Sequence, residues 1–535
     1  MAQARREAVD EPMPRVVDRE AERRELVALA SAPGPRLALL TGRRRVGKTY
    51  LLAHAWAPRR VFLFTAARTT PEVNRSQLVA DLAAWSGEPL ASEDYPTWRA
   101  VFRLVFELTP AADADTASSD DSGSAIVVID EFQYLADGEA GVAAVASELN
   151  AVYEAAQRGR VGQLHRSRLV VLAGSAVSTM EALAGGGAPL YGRFAWAHRL
   201  RPFDYWHAAE LALGARAPAA AAGARDRAAH GRDLRGRDLR ERALVYGIFG
   251  GTPRYLAAVD PTQSVAANAT RVLLHPRGEV RQLVETALEQ EDGLRDVPKY
   301  RAILYAVAVG QTERNAIAQR TGLPNDQALR DKLERLVALG YLDTRQNVDA
   351  KPNAPVRYAV ADPALRFYHR FVAPHASVLE RYPAEDVWAS SVAPHLDAYM
   401  GHAFERVAAE AYDRQRATLD LPMIAVWGRW EGTDRARRSL EVDLVAPLTD
   451  GRVLTGAVKW DRAPITAEVH RLHLGMLERA ADAGRAWAHL ALAPESPLLY
   501  VAAGGFARGF RAAAEASGHP VLTWALADLY RTGSA

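Results

Sequence analysis

The sequence contains no cysteine, which excludes disulfide bonds and metal sites built from thiolates. It has no apolar run that approaches the roughly 18 residues needed to cross a bilayer. The first stretch, MAQARREAVDEPMP, lacks the apolar core of a signal peptide. We therefore expect a cytoplasmic protein with no membrane segment. The formal net charge of +2 excludes a uniformly basic nucleic-acid binder, so any contact with a polyanion must be local.

Lysine is nearly as scarce, because only five of the 66 lysine and arginine residues are lysine. One of the five, Lys48, lies in the stretch LALLTGRRRVGKTYLL, where an apolar strand-like run meets a turn and the start of a helix. Two glycines, Gly42 and Gly47, bound that turn. In a chain that uses arginine at almost every basic position, a lysine at this point indicates that the ammonium group itself is required.

The turn has the spacing of a phosphate-binding loop. Its candidate nucleotide-binding residues are Gly42, Arg43, Arg44, Arg45, Val46, Gly47, Lys48 and Thr49. Backbone N–H groups of such a loop point at phosphate oxygens, Lys48 would contact the β- and γ-phosphates, and the Thr49 hydroxyl would coordinate Mg²⁺. A plain glycine-bearing turn is the alternative, but the strand and the helix on its two sides disfavour it. We therefore expect ATP and Mg²⁺ as ligands.

A second cluster follows the apolar run 126–129, which leads directly into Asp130 and Glu131. This is a Walker B pattern, in which Asp130 holds the Mg²⁺ shell and Glu131 orients or deprotonates the attacking water. An acidic turn after a core strand is the alternative. The apolar run 169–173 leads to Ser175, at what would be the same sheet edge. Ser175 is a candidate sensor of the γ-phosphate, and an ordinary turn residue is an equal alternative.

Strand-like runs without strict alternation predict a doubly wound parallel α/β sheet, with helices on both faces and the ligand at the carboxyl ends of the strands. The runs lie at 37–40, 61–65, 126–129 and 169–172. Two polar stretches, 111–124 and 214–240, are expected to be disordered insertions. The second repeats GRDLR and separates the α/β region from a mainly helical one. A solvated linker is favoured there over a nucleic-acid contact.

Several segments together resemble a known family: VVDREAERREL, GRRRVGKT, VVIDEFQYL, AGSAVSTMEAL with PLYGRF, and GGTPRYL. Over residues 16–256 the chain is similar to the archaeal-type ATPases of the STAND class, which are relatives of AAA+ proteins. The resemblance implies that Arg193, in PLYGRF, lies near the nucleotide and acts as an arginine finger. A surface charge is the alternative for Arg193. The resemblance also implies a helical lid that closes over the nucleotide, with Gly250, Gly251 and Pro253 in backbone roles.

After the expected lid, segment 301–370 changes to three short helices and two strands around a proline-containing turn. This order predicts a winged helix-turn-helix. Its recognition helix would expose Asn325, Gln327, Arg330 and Arg335 to a major groove. The segment carries eleven basic and seven acidic residues, a modest excess for a DNA reader. DNA contact and a protein-docking or packing role therefore both stay open.

From about Tyr358, in YAVADPALRFYHRF, to its end, the sequence resembles the domain of unknown function that commonly follows archaeal-type ATPases. In it, Glu405, Asp443 and Lys459 stand in the order and spacing of a PD-(D/E)xK nuclease-like core. Such a core also needs a carboxylate two residues before the lysine, where this chain has Ala457. We therefore expect a nuclease-like fold without useful cleavage, with weak or rescued activity as the alternative. An ion pair between Glu441 and Lys459 is an alternative use of that lysine.

The complete prediction is an α/β multidomain, ATP-hydrolysing switch whose partners are ATP and either DNA or a protein. The expected segments are a disordered tail 1–15, a P-loop ATPase domain 16–213, a linker 214–240, a helical lid 241–299, a winged helix 300–375 and a restriction-endonuclease-like α/β domain 376–535. One alternative is an ATP-controlled, metal-dependent DNA nuclease. The other is an ATP-binding interaction protein without turnover, which Glu131 disfavours because a passive binder has little use for a base there. No feature of the sequence indicates an oligomeric state.

Overall fold

The computed structural model describes residues 17–57, 59–110, 125–161, 167–214, 231–291, 294–351 and 354–531. The tail 1–15, the insertion expected at 111–124 and most of the expected linker, 215–230, lie outside these ranges. The chain forms two compact units, Met1–Pro202 and Phe203–Ala535. In the described parts of the chain, no helix is both long enough and apolar enough to cross a membrane.

The first unit is built on a five-stranded sheet in which every neighbouring pair of strands is parallel. Its strands are β1 (Pro35–Thr41), β2 (Val61–Thr65), β3 (Ala125–Asp130), β4 (Arg168–Gly174) and β5 (Phe194–Arg199). Their order across the sheet is β2-β3-β4-β1-β5. The parallel sheet is therefore confirmed. The sequence did not predict β5, because this edge strand is only partly buried and has no continuous apolar run.

Helices cover both faces of this sheet. They are α1 (Glu20–Ser31), α2 (Lys48–His54), α3 (Pro71–Ser86), α4 (Trp98–Glu107), α5 (Gly138–Gln157) and α6 (Val177–Ala182). Alternate strand residues feed two separate cores: Leu39 and Ile129 face one, whereas Leu40 and Val128 face the other. Because both faces are apolar, polar chemistry is confined to the loops at the sheet edges.

Local signals fix where two of these helices begin. The Thr70 hydroxyl accepts a hydrogen bond from the backbone N of Val73 at 3.5 Å. Pro71 fills the first helical position of α3, where no N–H is needed. Thr97 caps α4 in the same way, accepting from the backbone N of Ala100 at 3.2 Å. Caps of this kind usually contribute about 1 kcal/mol each.

The second unit begins with helices. They are α7 (Tyr205–Leu213), α8 (Gly231–Phe249), α9 (Pro253–Leu256), α10 (Val265–Ala269) and α11 (Glu279–Glu285). Helix α8 corrects the expectation of a disordered linker, since residues 231–240 are helical. Leu239, Ala243 and Tyr246 are buried at helical spacing. Their packing stabilises a helix that the polar repeat in its first half does not predict.

Three further helices are followed by an antiparallel hairpin, in the order that the sequence predicted. These elements are α12 (Val297–Ala308), α13 (Arg314–Thr321), α14 (Gln327–Ala338), β6 (Leu342–Arg345) and β7 (Arg357–Val360). The base of the hairpin pairs Leu342 with Val360. Asp326 starts α14, because its carboxylate accepts a hydrogen bond from the backbone N of Leu329 at 3.1 Å.

The remaining strands form a second sheet, which is mixed. They are β8 (Gly428–Thr433), β9 (Ser439–Pro447), β10 (Val453–Lys459), β11 (Leu498–Ala502) and β12 (Val521–Ala525), in the order β12-β11-β10-β9-β8. The pairs β8–β9 and β9–β10 are antiparallel, and the other two are parallel. Its helices are α15 (Pro363–Phe367), α16 (Ala376–Leu379), α17 (Ala384–Val387), α18 (Leu396–Gln415), α19 (Ala467–Asp482), α20 (Ala486–Ala491), α21 (Phe510–Glu515) and α22 (Leu526–Leu529).

The sequence Val-Ala-Pro-His occurs twice before α18, at a spacing of 20 residues. Each copy follows a widened, π-helical turn, Tyr368–Val372 in the first case and Trp388–Val392 in the second. Proline cannot donate to the carbonyl four residues earlier, and its ring crowds that carbonyl. The widening just before Pro374 and Pro394 is therefore a main-chain effect of the two prolines.

Hydrogen bonds join the first helices of the second unit to its later ones. Glu410, in α18, accepts from the backbone N of Tyr205 at 2.9 Å and from the Tyr246 hydroxyl at 2.6 Å. The Tyr205 hydroxyl donates in turn to the backbone carbonyl of Leu529, in α22. Helices α7 and α8 are thus anchored to helices around the mixed sheet.

Candidate functional site

The loop between β1 and α2 takes backbone conformations that favour glycine. Gly42 has φ +153°, and a Cβ there would lie 2.7 Å from the carbonyl oxygen of Leu200. Gly47, immediately before α2, has φ +94°. Arg45 also adopts a left-handed φ, +71°, which is strained for a residue with a side chain. The chain is bent here into a tight loop, and the N–H groups of such a loop can converge on an anion.

Lys48 is almost fully buried under this loop, with only 5% of its surface exposed. Its ammonium group donates hydrogen bonds to the carbonyls of Gly42 at 2.7 Å and Arg43 at 3.2 Å. These contacts satisfy a charge that would otherwise be costly to bury. Arg44 donates to the Tyr134 hydroxyl at 2.5 Å, which ties the loop to the segment after β3. The ammonium group therefore lies within reach of a phosphate held by the loop.

Thr49 and Asp130 form the second part of the site. The Thr49 hydroxyl donates to the Asp130 carboxylate at 2.5 Å, so the start of α2 and the end of β3 meet. Burial raises the pKa of Asp130 above its ordinary value, although the hydrogen bond from Thr49 acts in the opposite direction. A hydroxyl and a carboxylate at this distance are oxygen ligands that suit Mg²⁺.

The described residues contain no group of three or more histidine, cysteine, aspartate or glutamate side chains that could hold a metal ion. An ion at Thr49 and Asp130 would therefore take its other ligands from phosphate oxygens and water, as Mg²⁺ bound with a nucleotide does. This donor set fits Mg²⁺ better than a metal that needs an all-protein cage.

Glu131 and Ser175 contact each other at the same edge of the sheet. The Glu131 Oε2 atom accepts from the Ser175 hydroxyl at 2.7 Å and from the Ser175 backbone N at 3.1 Å. It also accepts from Gln133, a partner that the sequence analysis missed. Burial would raise the pKa of Glu131, but the Ser175 hydrogen bond and the charge of Lys48 outweigh it and keep that pKa below its ordinary value. Glu131 is therefore an ionised, firmly held carboxylate.

The structure places Arg193 away from this site, which corrects the role implied by the family resemblance. Strand β5 runs parallel to β1 and pairs Phe194 with Leu37. Arg193 precedes β5, so it lies at the edge of the sheet where the strands begin. The phosphate loop lies at the opposite edge, where the strands end, about 16 Å away along β1. Its guanidinium donates to Glu154 at 2.5 Å near the surface. Within one chain, Arg193 does not reach the loop.

Arg199 is the arginine that β5 brings to the loop. The register pairs Arg199 with Thr41, the residue before Gly42. Glu181, in α6, is shared by both: it lies 3.8 Å from the Arg199 guanidinium and accepts from the Thr41 hydroxyl at 3.5 Å. The sequence contained a signal for this residue, a basic position at the end of FAWAHR, but β5 was not predicted.

In the second unit, two of the three candidate nuclease residues contact each other directly: the Lys459 ammonium lies 2.7 Å from the Asp443 carboxylate. Glu405 contacts Arg345 instead, at 3.7 Å. Burial raises the pKa of Glu405, and the charge of nearby Asp443 adds to this effect. The alternative pair of Glu441 with Lys459 does not form. The pairing of β9 with β10 ends at Leu444, three residues from Glu441, whose carboxylate contacts an arginine of β8 at 2.6 Å.

The residues expected to contact DNA are only partly available. Asn325, Gln327 and Arg330 are exposed at the start of α14, whereas Arg335 is half-buried. The turn of the hairpin packs against strand β8 of the second unit. Its Asn347 side chain donates to the Glu431 carbonyl at 2.7 Å and accepts from the Glu431 N at 3.1 Å.

A parallel α/β sheet with a GxxxxGKT loop after β1 and an Asp–Glu pair after β3 defines the class of P-loop ATPases. Comparison with known families agrees. Residues 16–259 match the family described as an ATPase domain predominantly from Archaea. Residues 368–471 match a family of archaeal and bacterial proteins of unknown function. The chain thus carries an archaeal-type ATPase domain followed by this second domain, as the sequence resemblance implied.

An uncharacterized protein of Methanocaldococcus jannaschii is 23% identical over 456 residues, covering 83% of this chain and 87% of that one. Among solved structures, the Aeropyrum pernix ORC2 protein in ADPNP–ADP complexes is 14% identical, with a TM-score of 0.40; the match covers 72% of this chain and 97% of that chain. A STAND protein from Pyrococcus horikoshii with a tetratricopeptide repeat sensor is also 14% identical, with a TM-score of 0.26. That match covers 76% of this chain and 53% of the Pyrococcus horikoshii chain.

Proposed function

We propose that the first unit binds ATP with Mg²⁺ and hydrolyses it, so that the chain works as an ATP-driven switch. The contact between Thr49 and Asp130, at 2.5 Å beside the glycine-bounded loop, carries this proposal. It joins the two sequence motifs that a P-loop ATPase needs, although they lie far apart in the chain. The match of residues 16–259 to an ATPase family supports the same function.

The loop residues would bind the phosphates through their backbone N–H groups. The Lys48 ammonium, now held by backbone carbonyls, would turn to the β- and γ-phosphates. Thr49 and Asp130 would hold the Mg²⁺, which neutralises charge on the transferred phosphate. Arg199 is a candidate for the remaining charge, because its strand ends beside the loop.

Glu131 would orient the attacking water and accept its proton. All three hydrogen bonds described for its carboxylate go to the Oε2 atom, from Ser175 and Gln133. Oε1 is therefore the atom that we assign to the water. Ser175 would position Glu131 beside the γ-phosphate.

The direct test compares Glu131→Gln with wild type. The amide keeps the shape of the carboxylate but cannot take a proton, so ATP binding should persist while turnover falls by a factor of about 100 or more. Calorimetry measures ATP binding, and phosphate release measures turnover. Glu139→Gln, at the exposed start of α5, is a matched control. Full turnover in Glu131→Gln would favour an ATP-binding protein whose hydrolysis uses another base.

In the second unit, the three helices and the hairpin support a winged-helix assignment, α12–α14 with β6–β7. Because the hairpin turn contacts β8, we place any DNA contact on α14 and give the wing a packing role. The exposed start of α14 favours this candidate, with Asn325, Gln327 and Arg330 on the surface. Duplex DNA that binds the full chain equally well at low and high salt, or not at all, would contradict it.

We further propose that the mixed sheet is a nuclease-like fold without useful cleavage. Two observations support the inactive form. Lys459 is paired with Asp443 at 2.7 Å, and Ala457 belongs to an apolar cluster with Leu498 and Tyr500. A metal-binding carboxylate is therefore replaced by a methyl group in apolar surroundings.

A further inference from the structure

A cavity of about 500 Å³ lies in the second unit, between the β6–β7 hairpin and the mixed sheet. We call it the arginine cavity, because its lining includes Arg345, Arg357, Arg429, Arg485 and Lys351. Its volume falls in the range of small-molecule sites, roughly 300–1,000 Å³. Its lining contains no residue of the phosphate loop, and neither Lys459 nor Asp443.

The arginines of the cavity are held in place by carboxylates. Arg357 pairs with Glu431, and Arg485 lies 3.5 Å from Asp349. Arg357 and Arg429 each contact two carboxylates. A guanidinium group carries five N–H donors, so even two carboxylate partners leave further donors for a ligand. The ion pairs thus fix the positions of the guanidinium groups without using all of their hydrogen-bonding capacity.

Two of these donors are unsatisfied within the described chain. The Nε atoms of Arg429 and Arg485 are buried and have no hydrogen-bond partner among the described residues. Buried N–H groups are rarely left without an acceptor, because their desolvation is costly. Both side chains line the same cavity, so one ligand with several acceptor oxygens would lie near both guanidinium groups, which would have to turn for their enclosed Nε atoms to meet it.

Five basic side chains and three carboxylates line the cavity, so its lining carries an excess of two positive charges. Burial is the main cause that lowers the pKa of His402 well below its ordinary value, and the charge of Arg345 adds to it. His402 is therefore neutral and adds no charge. Burial also lowers the pKa of Arg345; the charge of Glu405 opposes this effect, and the charge of Arg429 adds to it. An anion in the cavity would offset the excess positive charge of its lining.

We propose that the arginine cavity binds a small phosphate-bearing molecule of nucleotide size or smaller. Forked guanidinium donors match phosphate oxygens, which favours this chemistry over other anions. Three carboxylates, those of Glu313, Asp349 and Glu431, also line the cavity, and they would repel a continuous nucleic-acid backbone. Because the cavity joins the hairpin to β8, its ligand would strengthen the contact between these two elements.

The test titrates sodium pyrophosphate into the full chain carrying Lys48→Ala, which suppresses binding at the phosphate loop. Calorimetry at low salt should show saturable binding. Adding Arg429→Gln or Arg485→Gln should weaken it by about tenfold or more, as expected for a lost charge-assisted hydrogen bond. Adding Arg452→Gln should not, because Arg452 pairs with Asp450 outside the cavity, at 2.7 Å.

Thermal unfolding of each variant separates loss of binding from loss of folding. Arg429→Lys gives a second check, since it keeps the charge but lacks the fork and should also bind pyrophosphate more weakly. Absence of saturable binding, or equal affinity in the three glutamine variants, would overturn the proposal. The proposal would also be overturned if duplex DNA binds through Arg429 and pyrophosphate does not bind. ATP turnover by wild type is measured separately. Failure of the arginine cavity to bind pyrophosphate can therefore be told apart from failure of the first unit to hydrolyse ATP.

Discussion

Asp130 and Glu131 are neighbours in the chain, yet their surroundings move their pKa values in opposite directions. Burial raises the pKa of Asp130, whereas the Ser175 hydrogen bond and the charge of Lys48 outweigh burial and lower the pKa of Glu131. Carboxylates whose pKa values are pushed apart usually have different roles. The charge of a bound metal would lower the pKa of Asp130, whereas the pKa of Glu131 is already lowered without one. This supports the division into metal ligand and base.

A pH profile of turnover can test whether Ser175 keeps Glu131 ionised. Its hydroxyl favours the ionised form of Glu131, so Ser175→Ala should raise the pKa of that carboxylate. Turnover needs ionised Glu131, so it should fall at a higher pH in the variant than in wild type as the solution is acidified. The turnover number is measured from acid to neutral pH. Ser147→Ala, in α5, is the control. If turnover falls at the same acidic pH in Ser175→Ala and wild type, Ser175 does not keep Glu131 ionised.

The two arginines of the β5 region give a matched pair of variants. Arg199→Ala should lower turnover by about tenfold or more, because it removes a positive charge beside the loop. Arg193→Ala should leave turnover unchanged and reduce stability by at most about 1 kcal/mol, since it breaks an exposed ion pair. Steady-state kinetics and urea unfolding measure these effects. Slow turnover in Arg193→Ala would indicate that this side chain acts on a second copy of the chain.

Sequence alone could predict that the loop, Asp130, Glu131 and Ser175 lie at one edge of the sheet, because each follows a strand in a short motif. It could not place Arg193 or Arg199. Their positions depend on the parallel pairing of β5 with β1, residues that lie far apart in the chain. A resemblance between motifs shows which residue types are present. The edge of the sheet at which those residues lie is decided by the direction of their strand.

At the level of elements, the hairpin turn makes side-chain bonds to a sheet edge. Both bonds between Asn347 and the backbone of Glu431 would be lost in Asn347→Ala. At about 0.5–1.5 kcal/mol per bond, the free energy of unfolding of the second unit should fall by about 1–3 kcal/mol. Urea unfolding measures it. Gln327→Ala, with one surface hydrogen bond, should change it by less than about 0.5 kcal/mol. Equal effects would mean that the turn is not held by β8.

Elements with a strong local pattern could be predicted, and those without one could not. The apolar strands of the first sheet and the three helices before the hairpin have such patterns. Strand β5 is half-exposed, and the first half of α8 has a polar repeat. The widened turns before Pro374 and Pro394 come from a missing main-chain donor, which hydrophobic patterning does not reveal.

For the whole molecule, the expected activity follows from the described residues of the second unit, which hold no complete metal site. Wild-type protein should show no Mg²⁺- or Mn²⁺-dependent cleavage of DNA above background, because Ala457 supplies no ligand and Lys459 is paired with Asp443. Nicking of supercoiled plasmid measures it, with an active nuclease as positive control. Robust cleavage that disappears in Asp443→Ala would instead support the ATP-controlled nuclease.

The bond between Tyr205 and Leu529 has a consequence for the order of folding. It closes a loop of 324 residues, since the first helix of the second unit packs against α22. At roughly 5–20 residues per second, a ribosome needs about 16–65 s to make the chain between these two positions. The first unit has emerged by then and can fold, whereas α7 still lacks its bond to α22. Helix α7 should therefore complete its packing only after nearly the whole chain has been made.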